Sequence, residues 1–156
     1  MERLVGQADA ITVSNRFLQK RFGGELLYHC RDTAVLDPKR FNPENTKKKL
    51  GLENKKILMF LGTPRAHKGI DDVILSMEKI KTQKAQLVLI GPFNEIPDTA
   101  KKQTTVIPTI PFEELGEYLS IADVVLVPQL HTSDTIGQIP AKLFDAMAMA
   151  KPIIST

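Results

Sequence analysis

A chain of 156 residues, 42% hydrophobic and 25% charged, has an ordinary soluble composition and enough length to bury one good core. Its formal net charge is only +3, and its lysine runs at 47–49, 55–56 and 101–102 carry no interleaved aromatics. They read as solvated surface rather than a nucleic-acid site, with peripheral contact to anionic lipid headgroups the weaker option.

The single cysteine, Cys30, excludes an internal disulfide and gives no metal cluster. With no apolar run of membrane-spanning length and no signal-peptide pattern, a cytoplasmic address is the simplest expectation.

From the N-terminus, residues 10–14 are strand-like, and 15–22 form a short helix that Gly23-Gly24 breaks. Residues 26–30 are strand-like again, with Cys30 expected as a small core residue. A strand, helix and strand without partners to bury them are expected to be the end of another domain, residues 1–36. Residues 37–43 then read as a turn-rich linker, followed by a polar stretch to Leu50-Gly51.

Three short apolar runs follow, at 57–62, 87–91 and 124–128, each ending in Gly or Pro and none alternating with polar residues. Strands buried on both faces of a parallel sheet have this pattern. Between them, Ile70, Val73, Ile74, Met77 and Ile80 repeat at helical spacing, with Asp71 and Asp72 in the first turn. A shorter piece at 104–107 precedes a second helix marked by Phe112, Leu115 and Leu119. Pro140 is expected at the first position of a last helix, whose stripe is Leu143, Phe144, Met147 and Ala148. Lys142 and Asp145 would share its opposite face, before Pro152 stops it and residues 153–155 make a final buried strand. Alternation of strand and helix argues for a Rossmann-like, doubly wound α/β domain, with ligands bound outside the carboxyl ends of the strands.

Two loops could carry chemistry. Residues 62–69, Gly-Thr-Pro-Arg-Ala-His-Lys-Gly, join a strand to a helix. Glycine permits the tight turn, the helix N-terminus offers N–H groups, and Arg65, His67 and Lys68 add cations, which suits phosphate or diphosphate. It is not a Walker A loop, because His67 and Gly69 replace the required Gly and Ser/Thr, nor a G-x-G-x-x-G fingerprint. The alternative is a βα turn with a solvated basic tip. The second loop, 129–139, is long for its place. His131, Ser133, Asp134 and Thr135 are candidates for sugar hydroxyls, and the N–H groups near Gly137 for a phosphate; His131 alone also reads as a surface residue. No zinc or calcium spacing and no nucleophile–base motif is present.

Taken in order, residues 8–15, 32–41, 58–70, 87–91, 121–128 and 144–153 resemble the retaining glycosyltransferases of group 1 type, sequence family 4, which have the two-domain GT-B fold. The resemblance implies that residues 37–156 are the nucleotide-sugar (donor) domain, incomplete at its C-terminus, with residues 1–36 a remnant of the acceptor domain. In it Lys68 neutralises the donor diphosphate, and Arg65 replaces the family arginine at the position of Thr63. These two are the implied catalytic pair, with Gly62, Thr63 and Gly69 forming the phosphate loop. Asp145 stands for the second glutamate of the family motif, on the ribose. Gly137 occupies the place of the first, so that Asp134 is its candidate substitute. Pro140 marks the phosphate-facing helix end, and backbone near Ile107 contacts the base.

The family needs a nucleotide-diphosphate-sugar donor, no metal, and a glycan, lipid or small-molecule acceptor bound by the other domain; a fragment would be inactive alone. Loss of the first glutamate favours, as alternative, a non-catalytic nucleotide-binding or partner subunit. A receiver-like signalling domain would need an acidic cluster after the first strand, where Gly62-Thr-Pro-Arg stands.

Overall fold

In the computed structural model, which describes residues 2–80, 82–133 and 135–156, five parallel strands form the main sheet: β3 (Lys56–Leu61), β4 (Ala85–Ile90), β5 (Thr104–Ile107), β6 (Val124–Val127) and β7 (Ile153–Ser155). Their spatial order is β5-β4-β3-β6-β7. β3 and β4 are in register from Lys56 opposite Ala85 to Leu61 opposite Ile90. The apolar runs are unalternating because both faces are covered, and all six residues of β4 are buried. Ile57, Met59 and Leu61 face a core shared with Leu119, Ala146 and Met149, while Phe60 faces Ile70, Val73, Ile74 and Met77.

Helix α3 (Ile70–Lys79) covers one face with the residues its spacing predicts. On the other lie α2 (Pro43–Lys49), α5 (Leu115–Ser120) and α6 (Ala141–Ala148). Asn42 caps α2 with its side-chain oxygen, and Pro43 opens it, so the polar stretch is a helix rather than a loop. Helix α4 (Asp98–Lys101) is one turn long and too short to leave a periodic signal.

Chain order sets the place of the site. From β3 the chain moves outward through β4 to β5, then returns to the other side of β3 with β6. Strand order reverses between β3 and β6, and crevices for ligands open at such points, outside the carboxyl ends of the strands.

The same pair of strands is fastened at its start by Asp123. Its carboxylate accepts from the Ile57 amide at 2.8 Å and from Lys56 Nζ at 3.0 Å, with Lys47 Nζ at 3.6 Å. Burial pushes this carboxyl up, but the amide and the two ammoniums outweigh it and hold it below its usual value. A depressed carboxyl stabilises the fold above its unfolded pKa, and that contribution fades as pH falls through the folded one. Asp123→Asn is therefore expected to cost about 2 kcal/mol at neutral pH and to flatten the acid limb of a urea-denaturation series; an unchanged acid limb would count against it.

The first segment holds a separate two-stranded parallel pair, β1 (Thr12–Val13) and β2 (Glu25–Leu26), around α1 (Arg16–Phe22), which Asn15 caps. The strand expected over 26–30 stops at Leu26, and Cys30 is exposed rather than in a core, since among the described residues no third strand joins this pair.

Helix α6 also differs from expectation. Pro140 is its cap and Ala141 its first residue. The expected stripe leaves Met147 60% exposed, while Ala146 and Met149 enter the core and Asp145 is buried. Positions 142, 145, 146 and 149 share helical spacing too, and this face turns inward. It does so because Phe144 is taken by the ring of His29, 5.2 Å away in the preceding segment.

Candidate functional site

A cleft of about 450 Å³ opens where β3 and β6 diverge, lined by the turn after β3, by Pro128 and Gln129 after β6, and by the first turn of α6. The turn is built from glycine. Gly62 has φ 128° and Gly69 φ 57°, conformations that disfavour a side chain, and Gly69 packs against Pro128. Between them a 3-10 turn, Ala66–Lys68, leads into α3, and the Leu130 amide donates to the His67 carbonyl at 2.8 Å, tying the second loop to the first.

Cations dominate the cleft. Lys68 Nζ donates to Thr63 Oγ1 at 3.2 Å, and burial, then the Arg65 charge, push its pKa down. Arg65 and His67 line the same space. Lys142 reaches in from α6. Its ammonium is shielded from solvent, makes no hydrogen bond, and lies 3.6 Å from the centroid of the Phe60 ring. Burial, and then Lys68, lower it to about 7. Among the described residues one carboxylate, Asp145, lines the cleft, and Arg31 Nε donates to its Oδ1. The same guanidinium donates to the Ala141 carbonyl at 3.3 Å and to that of Cys30 at 2.9 Å, so residues 29–31 lie along α6.

Of the residues expected from sequence, Gly62, Arg65, Lys68, Pro140 and Asp145 come together around this cleft, with Thr63 joined through Lys68. Gly69 supports the turn from behind. The Ile107 side chain lies in the core, and its carbonyl accepts from the Gly91 amide at 2.9 Å. Asp134 lies outside the described residues. Gly137 has φ 82°, its carbonyl accepts from Asn15 Nδ2 at 2.6 Å, and a Cβ there would collide with the Phe17 ring. A glutamate at 137 would be strained in this loop and would require the Phe17 ring to move. Thr135 is spent inside the loop: its hydroxyl donates to the Leu130 carbonyl at 2.6 Å and accepts from the Thr132 amide at 2.9 Å.

Sequence reasoning placed Lys142 with Asp145 on one helix face beside a strand end, as part of a ligand site, but gave it no role, and it missed Arg31 altogether. Lys142 carried one signal, its place three residues before Asp145; Arg31 carried none. A larger cavity, about 660 Å³, lies on the first segment, but it is mostly apolar, and among the described residues no lysine, arginine or carboxylate lines it.

Residues 55–156 match the family described as glycosyl transferases group 1. Three solved structures are similar throughout most of the chain. Sucrose-phosphate synthase of Thermosynechococcus elongatus superposes with TM-score 0.74 at 20% identity, over 99% of this chain and 42% of that one. The Anabaena protein Alr3699/HepE, solved with UDP and glucose, gives TM-score 0.76 at 12% identity, over 99% and 48%. The C-terminal domain of a glycosyl transferase group 1 family protein (LpcC) of Francisella tularensis gives 0.62 at 20%, over 80% and 69%. At these identities the likeness establishes the fold, and the chain spans less than half of the first two structures. No curated protein matches it in sequence. The family covers well over half of the residues, and the chain therefore belongs to the glycosyl transferases of group 1, on the α/β fold of GT-B glycosyltransferases.

Proposed function

We propose that this chain is the donor-binding part of a glycosyltransferase that uses a nucleotide-diphosphate sugar. One observation carries the proposal: Arg65, Lys68 and Lys142 converge on a single cleft at the reversal of the sheet, and Asp145, the one carboxylate lining it among the described residues, is engaged by Arg31. An anion carrying two phosphates matches that excess of positive charge, and the N-termini of α3 and α6 add oriented N–H groups.

In the reaction, the bond between the sugar's anomeric carbon and the diphosphate breaks, and negative charge grows on the departing phosphate oxygens. Lys68 and Arg65 stabilise that charge more strongly in the transition state than in the ground state, which is how preorganised cations accelerate a reaction. Asp145 lines the cleft one turn into α6 and takes the ribose hydroxyls. A carboxylate accepts several donors at once, so the bond from Arg31 orients it without exhausting it. The acceptor binds on the opposing domain, and transfer occurs with retention by attack on the face from which the phosphate leaves. UDP is the first nucleotide to test, because the similar Anabaena protein was solved with it.

Two features favour a second reading, a nucleotide-binding partner subunit without turnover: Gly137 excludes a sugar-binding glutamate, and Asp145 already holds Arg31. Calorimetric titration with UDP, GDP and ADP tests both. Binding of one of them below about 1 mM is expected, and failure of all three ends the donor-site proposal. Given binding, transfer or slow hydrolysis of the corresponding sugar nucleotide by the protein carrying its acceptor domain separates enzyme from binding subunit.

A further inference from the structure

Lys142 lines the proposed donor cleft but has no part yet in the bond-breaking step, and its setting is unusual. The ammonium is buried and bonds to nothing, on a helix whose neighbouring residue Ala146 belongs to one face of the sheet. It nevertheless rests on Phe60, whose ring belongs to the core of the other face, so the side chain spans the carboxyl end of the sheet. Contact with an aromatic ring offsets part of the desolvation of a cation, but an unpaired buried charge remains costly. The titratable groups around it are Lys68, Arg65 and His67 from the turn after β3, and Asp145 from its own helix, already held by Arg31; from the loop beyond β6, among the described residues, come the neutral Gln129 and Gln138. Among the described residues this ammonium has no counter-ion of its own.

The space for one is visible at Gly62. A Cβ at that glycine would stand 3.4 Å from Lys68 Nζ and 3.7 Å from Lys142 Nζ. Both ammoniums thus face the same small gap, which glycine keeps open, and one anionic oxygen placed above it would meet both.

We propose that Lys142 and Lys68 form a two-lysine clamp over Gly62 that grips the diphosphate of the donor, and that the clamp takes up a proton when it closes. The clamp rests on the donor-site reading given above and adds to it a ligand and a pH dependence. In the empty cleft, burial and the Lys68 charge keep Lys142 near half-protonated at neutral pH. A bound phosphate raises its pKa, because an adjacent anion favours the charged form. The sign follows. Below the pKa of the empty cleft the lysine is charged in both states, binding is tightest, and no proton moves. Between the empty and bound values each binding event takes up close to one proton, and affinity falls about tenfold per pH unit. Above the bound value the lysine is neutral throughout and its contribution is gone.

The test is calorimetric titration of the chain at about pH 8, in two buffers of different ionisation enthalpy, with UDP, GDP, ADP and inorganic pyrophosphate as probes. The wild-type protein should take up close to one proton per bound diphosphate. Lys142→Met should abolish the uptake and weaken every probe about tenfold at neutral pH without altering the order of preference among the nucleotides. Lys142→Arg should keep most of the affinity and lose the uptake, since a guanidinium stays charged throughout. The wild-type measurement needs no variant, so a misfolded substitution does not spare the proposal.

Nucleotide binding with no proton uptake, or with an uptake that Lys142→Met leaves intact, overturns the clamp and leaves the donor site standing. Pyrophosphate binding with Lys142-dependent uptake, while no nucleotide binds, upholds the clamp and removes the donor-site reading. If neither kind of probe binds, both are wrong.

Discussion

Replacing Lys68 by alanine is expected to weaken nucleoside-diphosphate binding roughly 30-fold, about 2 kcal/mol, without destabilising the fold. The magnitude is that of a charge-assisted hydrogen bond to a phosphate oxygen that water only partly replaces. Stability should hold because Lys68 contributes little to the empty protein. Its pKa is pushed down by burial and by Arg65, so the native state resists its charge, and its ammonium donates only to the Thr63 hydroxyl among the described residues. Lys68→Arg should recover only part of the affinity, since a broad planar fork does not fit where a compact ammonium sits above a glycine turn. Calorimetry gives the affinity and thermal denaturation the stability. Unchanged binding in Lys68→Ala would show that the phosphates lie elsewhere.

Phe60→Ala should have the largest effect on stability, about 3–5 kcal/mol, a large share of what a domain of this size possesses. Phe60 is fully buried near the carboxyl end of β3, in the core with residues of α3 and β4, and meets the ring of Phe93 edge-on at 5.9 Å. Truncation leaves a cavity at the point where the central strand meets its helix, and it also removes the ring under the Lys142 ammonium. The midpoint of urea unfolding should fall sharply. Phe60→Leu, which retains most of the volume, should cost much less. A loss below about 1 kcal/mol for the alanine variant would mean that the core can collapse around the gap.

These two residues were legible to different degrees. Phe60 lies in an unalternating apolar run ended by glycine, and that pattern by itself places it in a doubly covered parallel strand. The same local logic found β4, β6 and α3, since each is decided by period and punctuation within about ten residues. Lys68 was legible through its loop, a glycine turn with three basic residues before a helix. Helix α4 and the early end of β2 were not. One turn has no period to detect, and residues 26–30 have strand-forming side chains but no neighbouring strand beyond Leu26.

Helix α6 shows where local pattern stops. Its sequence contains two stripes at helical spacing, one through Leu143, Phe144, Met147 and Ala148 and one through Lys142, Asp145, Ala146 and Met149. Apolarity favours the first, and the structure buries much of the second. The choice was made by partners distant in sequence: His29 against Phe144, Arg31 on Asp145, and Phe60 beneath Lys142. A charged pair was drawn inward because each member met a compensating surface there, a guanidinium for one and an aromatic face for the other. Sequence by itself determined a parallel α/β sheet with a basic glycine turn after its first strand, because strand burial and turn chemistry are local properties. Only the tertiary structure decided that Lys142 joins that turn and that Asp145 is held by Arg31, because a buried cation differs from a solvated one in its distant neighbours and in nothing its own segment encodes.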